Sequence, residues 1–152
     1  VSGDLIRQLP KLIEHATTEP SVLRAALAQA VELLPALPPV DPDDRYGIRA
    51  LTVLWLEADK TEHTRRAYFA DVAAWLDWCD RTGLDPLAAR RADVDAWKAT
   101  ITVLGKDGSV RRASASTVAR RLAAVSSWYQ SLEDNAVADR NPVSAVKRPK
   151  VD

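Results

Sequence analysis

The chain has 152 residues, 47% hydrophobic and 28% charged, with a formal net charge of zero. That suits one compact domain or two very small helical ones, and it lies in the ordinary range for a globular protein. No run of about 18 apolar residues is available to span a bilayer, so no membrane partner is expected. The single cysteine, Cys79, excludes an intramolecular disulfide and fits a reducing compartment. No export signal is visible, and the expected location is cytoplasmic. The absence of methionine, even at position 1, reads as a chain that has lost its start or is a piece of something longer.

In chain order, Leu5, Leu9, Leu12, Ile13 and Ala16 follow helical spacing, with Pro10 expected to kink the helix or mark its true start. Ser21 is expected to cap a second helix whose stripe is Leu23, Ala26, Leu27, Ala30, Leu33 and Leu34. Four prolines between Pro35 and Pro42 end it in a linker or tight turn. A third helix is expected from Asp44 to Asp59, with Leu51, Leu54, Trp55 and Ala58 on one side and Val53 and Leu56 on another. These first sixty residues suggest no chemistry and read as scaffold or self-association surface.

The stretch from Thr61 to Cys79 organises the remainder. Tyr68, Val72, Trp75, Leu76 and Cys79 fall on one helical face. Thr61 is the expected N-cap, so the helix starts near Glu62. His63, Thr64, Arg65 and Arg66 then crowd cations at the positive end of the helix dipole, where an acidic group would be expected on stability grounds. Free N–H groups, a positive dipole end and two arginines together suit an anion such as a DNA phosphate. A solvated arginine pair on an ordinary helix is the alternative.

Gly83 and Pro86 stop that helix, and a short turn follows through Leu87 and Ala88. Asp93 is expected to cap the next helix, which keeps its spacing through Val94, Trp97, Ile101 and Leu104 despite the weak helix formers Thr100 to Val103. The glycine-bearing segment Gly105 to Ala113, the most basic loop of the chain, could form a small β-hairpin flap. A last long helix opens at Ser114 or Ser116 and runs to about Glu133 on a stripe of Val118, Leu122, Val125, Tyr129 and Leu132. Arg120 and Arg121 lie off that stripe, so the design of the first basic helix is repeated. A turn at Asp139 to Pro142 leads to a basic tail, Ser144 to Lys150, with no core of its own.

Charge is unevenly divided. Residues 1–60 hold six Lys/Arg and nine Asp/Glu, a balance of minus three, and residues 61–152 hold fifteen and twelve, a balance of plus three. Lys106, Arg111, Arg112, Arg120 and Arg121 cluster in one stretch, and Arg140, Lys147, Arg148 and Lys150 in another, as a polyanion-binding surface needs. Solvated faces are the plain alternative. Catalytic chemistry is hard to compose: His15 and His63 sit on different helices, Cys79 faces a core, and the five glycines are scattered. Asp77 and Asp80 read as solvated partners of Arg81. No catalytic residue, metal site, cofactor or small-molecule substrate is expected.

Thr61-Glu62-His63-Thr64, Tyr68, Trp75, Trp78-Cys79, Asp93-Val94, Ser116-Thr117-Val118, Arg120-Arg121-Leu122, Trp128-Tyr129, Asn141-Pro142 and Arg148-Pro149-Lys150 occur in an order and spacing that resembles the N-terminal core-binding domain of tyrosine recombinases. Phage integrases, Xer recombinases and Cre belong to this family. The resemblance covers about residues 58–150. It implies an all-α, SAM-like bundle of four or five helices at residues 59–150; residues 1–58 lie outside it and read, from their own spacing, as a smaller helical extension with a proline-rich linker at 35–42. It also implies half of a clamp on double-stranded DNA, with the catalytic domain absent from this chain and supplied elsewhere in the parent recombinase.

By the family's pattern His63, Thr64 and Arg65 or Arg66 contact phosphates or base edges, and Ser116, Thr117, Arg120 and Arg121 do the same from the second helix. Ala67 departs from the pattern, since alanine offers bases only apolar contact. Lys106, Arg111 and Arg112 read as added phosphate contacts, and Lys147 and Arg148 complete the expected DNA-binding set. The implied partners are duplex DNA and other recombinase subunits, the latter met through residues 1–58, in a bacterial or phage protein that is nucleoid-associated when bound to DNA. A helical protein-interaction module, docking through the helix from Asp44 to Asp59, is the alternative function.

Overall fold

The computed structural model describes residues 19–58 and 60–151. Within them the chain forms five α-helices: α1 (Pro20–Glu32), α2 (Ile48–Glu57), α3 (Glu62–Thr82), α4 (Arg91–Thr100) and α5 (Ala115–Asp134). A 3-10 turn at Pro86–Ala88 precedes α4. Two short antiparallel strands, β1 (Thr102–Leu104) and β2 (Val110–Arg112), separate α4 from α5. The fold is thus the expected all-α bundle with one small hairpin. The helical turns expected between Asp4 and Ala16 lie outside the described residues.

Several boundaries differ from the sequence reading, each for a local reason. Helix α1 starts one residue before Ser21, because Pro20 fits the first helical position, where its missing N–H is no loss. Its buried residues are Leu27, Ala30 and Val31; just beyond its end Leu34 is buried and Leu33 exposed. Helix α2 begins at Ile48 rather than Asp44. The carboxylates of Asp41 and Asp44 accept from the N–H groups of Asp43 and Tyr46 at 2.9 and 3.1 Å, local turns that compete with helix. Its Ile48, Leu51, Thr52, Trp55 and Leu56 are buried, while Leu54 is not.

Helix α3 is capped by Thr61, whose hydroxyl accepts from the Thr64 N–H at 3.1 Å. It ends at Gly83 in the left-handed conformation, with the Leu84 N–H donating to the Cys79 carbonyl at 2.8 Å. Asp93 does not occupy the cap of α4. It lies one turn inside, and its carboxylate accepts from the Arg90 N–H at 2.8 Å. Nor does α4 reach Leu104: the β-branched run from Thr100 to Val103 leaves the helix after Thr100 and enters β1. The closing segment is also not a coreless tail. Val143 and Val146 are buried, and the Asn141 amide donates to the Ser126 carbonyl at 3.0 Å while accepting from the Val143 N–H at 3.0 Å.

The buried apolar residues form one cluster running from Leu27 to Val146, continuous across residue 58. Its centre is Trp75, whose ring lies 5.5 Å from that of Trp78, 5.3 Å from Trp97 and 6.4 Å from Tyr129. Two indole N–H groups within it are paired across the core. Trp75 Nε1 donates to the Tyr129 hydroxyl at 3.0 Å, which donates to the Pro86 carbonyl at 2.7 Å. Trp128 Nε1 donates to Thr52 Oγ1 at 2.9 Å, which donates to the Ile48 carbonyl at 2.7 Å. Helix α2 thereby joins α5 as well as α1.

One side chain fixes the proline-rich turn. The Arg49 guanidinium donates to the carbonyls of Val31 at 2.6 Å, Leu37 at 2.9 Å and Pro38 at 2.8 Å, with longer bonds of 3.2 Å to Glu32 and Leu34. The carbonyls at the end of α1 have no partner within the helix, and the planar fork of arginine supplies one. It also steadies Ala36, held at a positive φ of 64°. Arg49→Lys, which keeps the charge but not the fork, is expected to lower the unfolding free energy by about 2 kcal/mol in urea titrations. An unchanged midpoint would show that the turn holds without it.

Candidate nucleic-acid interface

The two long helices share a direction. Asp71, midway along α3, meets Arg120 in the second turn of α5, and Trp75 meets Tyr129 further along both helices. The N-terminal ends of α3 and α5 therefore lie at the same end of the bundle. Each is closed by a hydroxyl: Thr61 accepts from the Thr64 N–H, and Ser114 accepts from the Thr117 N–H at 3.2 Å. The Ser114 hydroxyl also lies 3.1 Å from both Ser116 Oγ and Thr117 Oγ1, so the expected contact hydroxyls of α5 belong to its capping network. At a helix N-terminus such groups and the remaining N–H donors favour an anion.

The hairpin adds its cations beside α5. Val103, Leu104, Arg111, Arg112, Ser114 and Thr117 line one shallow concavity between the strands and the first turn of that helix. Lys106, Arg111, Arg112 and Ser116 are exposed. Arg111, Arg112 and Thr117, singled out from separate stretches of sequence, are thus brought together. On α3, His63 is exposed, and Thr64 and Arg66 are half-buried. Lys147 and Arg148 are exposed beside the last turn of α4, where Lys98 Nζ donates to the Lys147 carbonyl at 2.6 Å.

Two expected contact residues are engaged within the protein. Arg65 Nε donates to the Leu56 carbonyl at 2.9 Å and its Nη2 to the Lys60 carbonyl at 3.2 Å, which ties the start of α3 to the end of α2. Arg121 retains only 24% exposure of its side chain, with Nε 3.7 Å from Asp71 Oδ1. Arg120 differs: Nη2 donates to Asp71 Oδ1 at 2.9 Å, yet half of the side chain stays exposed. It can hold Asp71 and still offer an edge to an outside anion.

Asp71 was not among the residues singled out from sequence, although a signal was present. It lies three residues after Tyr68 and four before Trp75, on the core stripe itself, where a carboxylate requires a buried partner. Its side chain is 2% exposed. Burial pushes its pKa up to about 6, against the pull of the Arg120 and Arg121 charges. It is therefore ionised at neutral pH. Phe69, also buried, was likewise overlooked. Cys79 is buried as expected, and burial pushes its thiol up to about 12.

Residues 51–135, more than half of the chain, match the family model of the phage integrase N-terminal SAM-like domain. The chain belongs to that family. It is also 27% identical, over 101 residues, to the tyrosine recombinase XerD of Chlorobaculum tepidum, a match covering 66% of this chain and 31% of that protein. The chain thus spans about a third of the length of the curated relative it matches. No solved structure matches. Among the described residues no helix is long and apolar enough to cross a membrane, and no group of three or more metal-ligating side chains could hold an ion.

The titration of Asp71 has a definite sign. Its folded pKa is raised to about 6 over an unfolded value of about 3.9, so the stability it contributes is complete below about pH 4 and is lost as pH rises through 6. Asp71→Asn removes that titration. The stability of the wild type relative to the variant is expected to fall between about pH 4 and pH 7, by at most about 3 kcal/mol. Urea unfolding of both proteins across that range measures it, and a constant difference would show that Asp71 titrates normally.

Proposed function

We propose that this chain binds double-stranded DNA as the N-terminal clamp half of a tyrosine-type site-specific recombinase or integrase. The observation that carries the reading is the convergence, at one end of the bundle, of two capped helix N-termini and a cationic hairpin. Membership of the integrase SAM-like family and the match to a tyrosine recombinase support it. Thr64, Ser116 and Thr117 would meet phosphates at the two helix ends through their hydroxyls, beside the N–H groups that the caps leave free. His63, Lys106, Arg111, Arg112 and the free edge of Arg120 would add contacts around them, with Arg66 at the margin. Arg65 and Arg121 serve as positioning residues, because their guanidinium groups are held by carbonyls and by Asp71.

The remaining parts of the reading concern the whole protein. Cleavage and rejoining of DNA would fall to a catalytic domain outside this chain, and integration or recombination would be the outcome. Other recombinase subunits would be partners in the synaptic complex, in the cytoplasm of a bacterium. Residues 59–150 would form the DNA-binding unit, and residues 1–58 would serve contacts between subunits. Lys147 and Arg148, beside α4, would follow the duplex backbone toward the catalytic half.

A protein-interaction module docking through α2 is less well supported. Ile48, Leu51, Trp55 and Leu56 are already buried against the rest of the bundle, which leaves Leu54 as its exposed large apolar side chain. Salt dependence separates the two readings. Each phosphate contact adds about 0.9 to the slope of log affinity against log salt. Binding to random-sequence duplex is expected to weaken steeply between about 50 and 200 mM salt, and Arg111→Gln with Arg112→Gln should lower the slope by about two. Binding absent at every salt concentration would favour the interaction module. Charge reversal at Arg120 is a poor probe, since it would place a second carboxylate against buried Asp71.

A further inference from the structure

The hairpin carries more than its cations. Leu104 and Val110 are direct partners across the ladder. They are also among the most exposed apolar side chains in the described structure, at 64% and 69%. Alternation along the strands puts Thr102, Leu104, Val110 and Arg112 on one face and Val103 and Arg111 on the other. The first face is thus an apolar pair with an arginine behind it and Lys106 in the turn ahead. Among the described residues, no element of the bundle covers the pair. A two-stranded ribbon this short is not stable alone in water, and these side chains contribute little core to hold it.

The tip is nevertheless rigidly built. The Gly105 N–H donates to the Ser109 carbonyl at 2.7 Å, and the Gly108 N–H to the Gly105 carbonyl at 3.0 Å. Gly108 has a φ of 83°, and a Cβ on Gly105 would lie 2.8 Å from Asp107 Oδ1, so neither position suits a larger residue. The one carboxylate at the tip, Asp107, accepts from the Ser109 N–H at 3.0 Å and its hydroxyl at 2.6 Å. Those bonds hold its pKa below the usual carboxylate range. The acid is spent on the turn, and Lys106, Arg111 and Arg112 make the outward charge positive. At the base, the Ala113 N–H donates to the Ile101 carbonyl at 3.1 Å.

We propose that the hairpin is an apolar wedge for the DNA minor groove, with Leu104 and Val110 against sugars and base edges and Lys106 and Arg112 on the flanking phosphates. The inference rests on the DNA-binding reading and extends it. The ribbon emerges beside the first turn of α5, where the two line one concavity, so a duplex met by that helix end also meets the ribbon. Exposed apolar side chains between cations are what gain from a minor groove, because the groove floor and sugar edges offer apolar surface between two rows of phosphate. Contact there would also favour A·T-rich sequence, whose groove is narrow and more negative.

The test is binding of the full chain and of Leu104→Ser with Val110→Ser to a labelled A·T-rich duplex, with netropsin as a minor-groove competitor. Both positions are exposed, so the variant should melt as the wild type does. Expected are an affinity about tenfold lower, a salt slope unchanged because no cation is lost, and netropsin competition that weakens wild-type binding but barely affects the variant. Equal affinity and equal netropsin sensitivity of the two proteins would overturn the wedge while leaving DNA binding in place. A variant that binds DNA normally but loses self-association would overturn it in favour of a contact between copies. Failure of the wild type to bind any duplex would overturn the DNA-binding reading, and the wedge with it.

Discussion

A single buried carboxylate sets how the two long helices meet. Asp71 lies on the core face of α3, 2.9 Å from Arg120 and 3.7 Å from Arg121 on α5. Withdrawal from water makes its charge expensive, and the two guanidinium groups recover enough of that cost to keep it ionised at neutral pH. An apolar pair at this level would tolerate sliding by part of a turn, whereas a buried charge tolerates little. The register it fixes brings both helix N-termini to one end, and the proposed interface depends on that arrangement.

The same residue shows where sequence reading succeeds and where it stops. Periodicity was enough to place α3 and α5, because Val72, Trp75, Leu76 and Cys79 and then Val118, Leu122, Val125, Tyr129 and Leu132 repeat at helical spacing and are all buried. The caps at Thr61 and the stop at Gly83 were legible from local chemistry alone. The hairpin was legible as a possibility from its glycines and Ser109. Tertiary partners were not. Arg120 and Arg121 look like solvated or DNA-facing cations until Asp71, 49 residues away from Arg120, is seen beneath them. Arg65 likewise looks free until the end of α2 is placed against it. Asp44 and Thr100 misled in the other direction, since a carboxylate turn and a β-branched run override an apolar pattern that would otherwise extend each helix.

Neutral net charge is compatible with a polyanion-binding face because the charges are sorted in space. On the acidic side, Asp41 and Asp44 are committed to turns around the proline-rich segment. On the other side, Asp107 is absorbed by Ser109, and Asp71 is hidden under Arg120. What is left facing outward beside the N-terminus of α5 is cationic, from Lys106, Arg111 and Arg112, while the first turn of α3 carries exposed Glu62 beside His63. Arg49, Arg65 and the Asp71 pair have structural duties, so the exposed cations are held on a frame that does not need them for its own stability. Helix α2 completes that frame through Trp55, whose Nε1 donates to Ser127 at 3.0 Å, and through Thr52 beneath Trp128.

The most direct test of DNA engagement by this face is amide chemical-shift mapping of the chain titrated with a short duplex. The largest changes are expected at His63 and Thr64, across Lys106 to Arg112, and at Ser116 and Thr117, with α1 and the proline-rich turn silent. Changes concentrated on α1, α2 or the turn around Arg49, or a titration that moves no amide, would contradict it.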